Sequence, residues 1–208
     1  MINRKRITKV CNNCSKCGLP EITCICDKVK IAKTKAKFII LSSERELYRK
    51  TNTASLLKQV NPESTEIITW RRGETSEVIN NYINNEIYKV FLVFPDINEN
   101  LKLRKIEYVS SKHIPVFIIV DGTWGEAWKI IRKSDYLKEL PVIALETNKV
   151  SKFTLRKGQD EGNLCTIETA IELLNINGEE LDGEKIDYNF NLFLEGYKAG
   201  ASGHKVNK

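Results

Sequence analysis

Five apolar runs punctuate the chain: FIIL at 38–41, TEIITW at 65–70, YKVFLVFP at 88–95, VFIIV at 116–120 and VIALE at 142–146. Most are continuous rather than alternating and rich in β-branched and aromatic residues, the pattern of strands buried on both faces. Between them lie stretches with helical spacing. A loop and helix over 42–60 place Leu47, Leu56, Leu57 and Val60 on an apolar side, and TSEVINNYI at 75–83 reads as a short helix. Residues 101–110 are amphipathic without a clear period. The C-terminal third predicts a helix over 165–176, an acidic loop GEELDGEKID and a last helix carrying Phe190, Phe193 and Tyr197. Strands separated by helical stretches predict an α/β domain with a largely parallel sheet and helices on both faces.

The run VFIIVDGTWGEAWKI, residues 116–130, ends an apolar strand abruptly in Asp121 and Gly122. Thr123, with Glu126 three residues on, is a capping-box signature for a following helix. On that helix Trp124, Trp128 and Ile131 are spaced to form one packed face. Asp121 then stands at the carboxyl end of a strand beside a helix N-terminus, where sites in open α/β sheets collect.

Charge divides the chain unequally. Residues 1–37 hold ten Lys or Arg against Glu21 and Asp27, while the remainder holds 23 basic and 25 acidic residues. The formal charge of +6 therefore belongs to the N-terminal end, which predicts that one end holds a polyanion. No apolar run reaches membrane-span length, and the basic start lacks the apolar core of a signal peptide. The expected location is cytoplasmic, away from any membrane.

Five of the six cysteines fall within CNNCSKCGLPEITCIC, residues 11–26. In a chain with no export signal such clustering points to a metal rather than disulfides. The best ligand set is Cys14, Cys17, Cys24 and Cys26, with Cys11 as an alternative to Cys14 and a redox cluster as an alternative to zinc. Four thiolates suit a closed, structural Zn²⁺ site with no open position for substrate. The reading divides the chain into a basic arm and cysteine knuckle over 1–35 and a larger domain over 36–208. Neither G-x-G-x-x-G nor G-x-x-x-x-G-K-[ST] occurs, which leaves dinucleotide and P-loop triphosphate binding unsupported. The two histidines, His113 and His204, have no partners nearby in sequence for a triad or zinc hydrolase.

Three stretches taken together, CSKCGLPEITCIC, DGTWGEAWKI and SKFTLRKGQDEGNLCTIETA, resemble the DTW-domain proteins, a family that includes bacterial tRNA-uridine aminocarboxypropyltransferases. The name motif maps onto Asp121, Thr123, Trp124, Ala127 and Lys129, and a second onto Ser151, Leu155, Arg156, Lys157, Thr166, Glu168 and Ala170. Departures are Cys165 where a serine is usual, and Ser42–Ser43–Glu44–Arg45 where many relatives have His-Pro-x-Glu. Asn52–Thr53 retains the later Asn-Thr.

The resemblance implies a SPOUT-like fold with a C-terminal trefoil knot. It also implies transfer of the 3-amino-3-carboxypropyl group of S-adenosylmethionine to N3 of a tRNA uridine, releasing methylthioadenosine. On that basis Asp121 is the expected base, with Thr123 and Trp124 organising the pocket. Trp124 reads equally as a stacking platform or a core residue. Arg156, Lys157, Thr166 and Glu168 are the expected cofactor-binding residues, Arg156 through a carboxylate-matching fork. Glu168 reads either as a partner for the cofactor ammonium or as a cap. The partner implied is tRNA, and no obligate protein partner is evident. Two other classes share parts of this pattern: a SPOUT-like RNA methyltransferase and a non-catalytic zinc-knuckle RNA-binding protein.

Overall fold

In the computed structural model, residues 12–49, 51–146, 149–153 and 164–202 are described. The strands are β1 (Lys37–Ser42), β2 (Thr65–Thr69), β3 (Tyr88–Val93), β4 (Ile114–Asp121) and β5 (Val142–Ile143). The helices are α1 (Glu44–Leu47), α2 (Thr53–Val60), α3 (Glu77–Ile83), α4 (Glu99–Arg104), α5 (Trp124–Lys133), α6 (Thr166–Asn177) and α7 (Glu180–Ser202). Short 3-10 turns occupy Glu21–Thr23 and Asp135–Leu137.

The strands form one sheet in the order β2-β1-β4-β3-β5, and every pairing is parallel. Side chains alternate across a strand, so a continuous apolar run feeds two cores at once. Phe38, Ile40, Phe91, Val93, Phe117 and Ile119 enter the core that α2, α6 and α7 cover. Their neighbours Ile39, Leu41, Val90, Leu92, Val116 and Ile118 enter the core with Ile79 of α3, Leu101 of α4 and Ala127, Ile130 and Ile131 of α5. Helices therefore cover both faces, as the unbroken strands require. Among the described residues no helix is long and apolar enough to cross a membrane.

Four local expectations are corrected. The acidic stretch 178–187 is not a loop: Gly178 closes α6 in the left-handed region (φ 80°) and α7 begins at Glu180. Its acids are used in tertiary contacts. Glu179 accepts the N–H groups of Lys35 and Ala36 at 2.5 and 3.0 Å, and Asp182 accepts that of Lys33 at 3.3 Å. The run VIALE contributes a strand only at Val142–Ile143, paired with Leu92 and Val93 of β3 and bridged on its other side by Lys105, with the Ile106 N–H donating to the Val142 carbonyl at 2.9 Å. Residues 101–110 divide into the end of α4, capped by Asn98, and an extended segment. On α5 the buried residues are Ala127, Ile130 and Ile131, while Trp124 is 53% exposed. Trp128 is half-buried against the same core, so of the expected face only Trp124 turns outward.

The N-terminal segment lies along α7. Asn189, fully buried, donates to the carbonyl of Lys30 at 2.6 Å and accepts its N–H at 2.9 Å. Leu19 and Ile25 of the cysteine knuckle join the same core as Phe190 and Phe193. Glycines make this approach fit. A Cβ on Gly196 would stand 2.8 Å from Leu19 Cδ1 and 3.0 Å from the Thr23 carbonyl, and one on Gly200 2.9 Å from Pro20 Cγ. Gly196→Val is therefore expected to destabilise the protein by about 1–3 kcal/mol through overpacking, read as a lowered Tm in a thermal melt. An unchanged Tm would show that the knuckle is not seated on α7. Residues 147–148 and 154–163, between β5 and α6, lie outside the described residues, and the C-terminal trefoil knot that the resemblance implies stays an expectation.

Candidate active site and metal centre

Parallel register brings three strand ends to one edge. Ser42 of β1 pairs with both Thr69 of β2 and Asp121 of β4, and Ser43 donates its N–H to the Asp121 carbonyl at 3.0 Å. Asp121, only 5% exposed, is the centre of the edge. Its Oδ2 accepts from the Ser42 hydroxyl and from Asn52 Nδ2, both at 3.1 Å. Its Oδ1 accepts from the Thr166 hydroxyl at 2.7 Å. A buried carboxylate needs such donors to balance its desolvation. Four segments that are far apart in sequence thus meet on one side chain: the ends of β1 and β4 and the starts of α2 and α6.

Each partner is itself fixed. Asn52 caps α2 by accepting the Ser55 N–H at 3.0 Å, and its amide also donates to the Glu46 carbonyl at 2.8 Å. Glu46 is buried and paired with Arg49 at 2.8 Å. Thr123 caps α5: its hydroxyl accepts the Glu126 N–H at 3.4 Å, while its own N–H and hydroxyl donate to Glu126 Oε2 at 2.9 and 2.8 Å. The predicted capping box is present. Those Thr123 donors hold the Glu126 carboxyl below its ordinary value, backbone N–H first, with Arg45 and Arg49 adding attraction. Trp124 stands next to this cap, edge-on to Phe94 at a ring separation of 5.7 Å.

Glu168 sits one turn into α6 with both carboxylate oxygens engaged. It accepts from the Ser151 hydroxyl and the Lys152 N–H, each at 2.6 Å, and from the Cys165 N–H at 2.9 Å. It caps α6 and pins Ser151–Lys152, the segment that leads to Arg156 and Lys157. Those two expected cofactor contacts lie outside the described residues, as does Cys11. Cys165 is buried, and that burial pushes its thiol well above the ordinary range. It packs as a small apolar side chain beneath Thr166.

Glu46 is not among the expected site residues, and Ser42 and Asn52 enter the sequence reading only as positions of a family motif, without a role. Asn52 also carries a helix-start signal, an Asn immediately before a helical apolar stretch. Ser42 and Glu46 acquire their place through sheet register and burial, which a single sequence does not display.

The four sulfurs of Cys14, Cys17, Cys24 and Cys26 lie within 4.8 Å of one another. Cys14 and Cys26 are 3.6 Å apart and Cys17 and Cys24 3.8 Å. A tetrahedral site with metal–sulfur arms of about 2.3 Å spaces its sulfurs about 3.8 Å apart, so the cluster has the right size. Backbone N–H groups of Cys17 and Lys16 draw the Cys14 thiol down to about 6, while burial pushes Cys26 up to about 12. Four adjacent thiols cannot all ionise unaided; a cation resolves that conflict. Gln59 Nε2 contacts Cys26 Sγ at 3.6 Å from the far end of α2. Seven residues, about 10 Å of helix, separate it from Asn52, so the cysteine centre stands apart from the Asp121 edge.

Residues 11–198 match the family described as the DTW domain. The chain is 24% identical over 170 residues to tRNA-uridine aminocarboxypropyltransferase 2 of Drosophila melanogaster, a match covering 79% of this chain and 66% of that protein. The matched part is thus just under two thirds of that relative's length. No solved structure matches the chain.

Proposed function

The chain belongs to the DTW-domain family, and from that premise we propose that it is a SPOUT-like tRNA-uridine aminocarboxypropyltransferase. The observation that carries this reading is the convergence of Ser42, Asn52, Asp121 and Thr166 at the carboxyl edge of the sheet. The motif residues gather where an open α/β sheet takes its ligands. S-adenosylmethionine, as co-substrate, supplies an electrophilic aminocarboxypropyl carbon and a thioether leaving group. Arg156 and Lys157 hold its carboxylate, and Glu168 acts through the Ser151–Lys152 strap that carries them.

Uridine N3 must lose its proton as it attacks. Both oxygens of Asp121 are occupied by donors, so direct contact with N3 is less favourable than a relay. In this reading the N3 proton passes to the Thr166 hydroxyl oxygen as the Thr166 proton passes to Asp121 Oδ1. The nitrogen lone pair that is freed forms the new bond, and the electrons of the broken carbon–sulfur bond remain on sulfur. General-base assistance of this kind contributes about 10²–10⁴-fold. Trp124 and Thr123 shape the rim. The metal is zinc, bound by Cys14, Cys17, Cys24 and Cys26 in a structural role, and the basic arm over 1–37 attracts the tRNA backbone.

The test is incubation of the protein with unmodified tRNA and labelled S-adenosylmethionine, followed by nucleoside mass spectrometry. The expected product is aminocarboxypropyluridine with methylthioadenosine. S-adenosylhomocysteine with a methylated base would replace this reading by a methyltransferase. Absence of any modified nucleoside, with tRNA still bound, would leave a binding protein.

A further inference from the structure

Two of the three tryptophans, Trp124 and Trp128, lie on α5, and the third, Trp70, is tied to the same helix through Lys129 and Ser134. Trp124, Trp128 and Arg132 lie at i, i+4 and i+8 along α5, a single row about 12 Å long. Lys129 and Lys133 form the adjacent row. Trp70, just past the end of β2, anchors its Nε1 on the Ser134 hydroxyl at 2.9 Å. The Lys129 ammonium lies over the Trp70 ring, and the Arg132 guanidinium over the Trp128 ring, each at 5.6 Å from the centroid. Arg71 and Arg72 follow Trp70 directly and are exposed.

This face gathers cations without carboxylate partners, a condition that Lys28, Lys33, Lys35, Lys89 and Lys112 share singly elsewhere among the described residues. On the sides formed by α4, α6 and α7, Lys105, Lys149, Lys152 and Lys185 each have a carboxylate at 2.5–3.2 Å. Among the described residues, Arg72, Lys129, Arg132 and Lys133 have no such ion pair. The helix dipole accounts for cations in the last turn of α5, Arg132 and Lys133. It does not account for Lys129 in mid-helix, nor for an indole left half in water at Trp124. Unpaired cations interleaved with aromatic faces form the arrangement that takes single-stranded nucleic acid: phosphates meet the charges and bases stack on the rings.

We propose that this face, α5 together with the end of β2, is a docking surface for unpaired nucleotides of an RNA loop. It begins at Trp124, beside the Asp121 edge, and leads away from it, so an RNA strand lying on it places one base at the site and holds the flanking ones. The proposal rests on the tRNA reading above and adds where the loop lies. An acidic protein segment would satisfy the charges but would leave the exposed part of the Trp124 indole without a stacking partner.

The experiment compares the full-length protein with Lys129→Gln/Arg132→Gln and with a charge-matched control, Lys102→Gln/Lys112→Gln, on exposed positions elsewhere. Unmodified tRNA binding is measured across a salt series, and intrinsic tryptophan emission is followed as tRNA, a short unstructured oligoribonucleotide or polyglutamate is added. The surface pair is expected to weaken tRNA binding about tenfold or more and to flatten the salt slope by roughly 0.7–0.9 per lost phosphate contact. In turnover it should raise KM for tRNA and spare kcat. Both RNAs should change the emission, and polyglutamate should not. Surface and control pairs that bind alike, emission unmoved at saturating tRNA, or polyglutamate acting like RNA would each overturn the proposal. A wild-type protein that neither binds nor modifies tRNA would instead remove the tRNA reading itself.

Discussion

Asp121→Asn is expected to slow single-turnover transfer by about 10²–10⁴ with both substrates saturating, in a protein that still folds. The hydrogen-bond geometry explains why folding survives. An asparagine can direct its carbonyl to Ser42 and Asn52, whose donors then keep an acceptor, and its amide to Thr166, whose hydroxyl can turn and accept. The lost charge-assisted bonds cost about 1–3 kcal/mol, enough to lower Tm without unfolding the chain. The same rearrangement reverses the polarity at Thr166, so its hydroxyl no longer has anywhere to pass a proton. Thr166→Val should produce a rate loss of similar order by removing the conduit and leaving the carboxylate, and Thr166→Ser should restore most of the rate. Wild-type transfer in folded Asp121→Asn would remove Asp121 from the chemistry and leave it as the clasp of four segments. Loss in Thr166→Val without rescue by serine would reject the relay.

The second large effect concerns the metal. Protein purified without added metal is expected to hold about one zinc per chain and to lack visible absorbance. Cys17→Ser should lose the ion. Structural zinc contributes an apparent 10–16 kcal/mol in small peptides, and even a quarter of that would lower Tm by roughly 5–15 °C in a domain of this size. The loss should not stay in the knuckle. Leu19 and Ile25 share a core with Phe190 and Phe193, and Gln59 ties Cys26 to α2, so α7 and α2 should loosen with it. Hydrogen exchange across 180–200 reads this directly. A metal-free Cys17→Ser protein with unaltered Tm and exchange would refute the structural role, and stoichiometric iron would replace zinc by a redox cluster.

The legible parts of this protein are those whose signal is local. The unbroken run Val116–Val120 announced a strand buried on both faces, Thr123 and Glu126 announced a helix start, and the spacing Cys14–Cys17 announced a knuckle; each depends on neighbours within a few residues. What was illegible depends on tertiary partners. The acids at Glu179 and Asp182 read as a loop because the donors they accept from, the backbone N–H groups of Lys33, Lys35 and Ala36, are far away in sequence. Trp124 reads equally as a stacking platform or as core, because helical spacing places it with Ile131, and only the burial of Ala127, Ile130 and Ile131 shows which side of α5 meets the sheet. Asp121 was found by its place at a strand end, but its three donors could be assigned only once parallel register had brought Ser42 beside it.

The seating of the N-terminal segment on α7 has a consequence for biosynthesis. Lys30 and its buried partner Asn189 are 159 residues apart, so at about 5–20 residues per second the ribosome delivers the second roughly 8–32 s after the first. During that interval the cysteines have emerged and can capture an ion, but Leu19 and Ile25 have no helix to cover them. The knuckle is thus an apolar-faced intermediate waiting for its cover, whether or not it has captured an ion, and its exposed Leu19 and Ile25 invite association or binding by holding factors just then. Emergence of α7, rather than the folding of the sheet, is the event that covers the knuckle and seals this part of the structure.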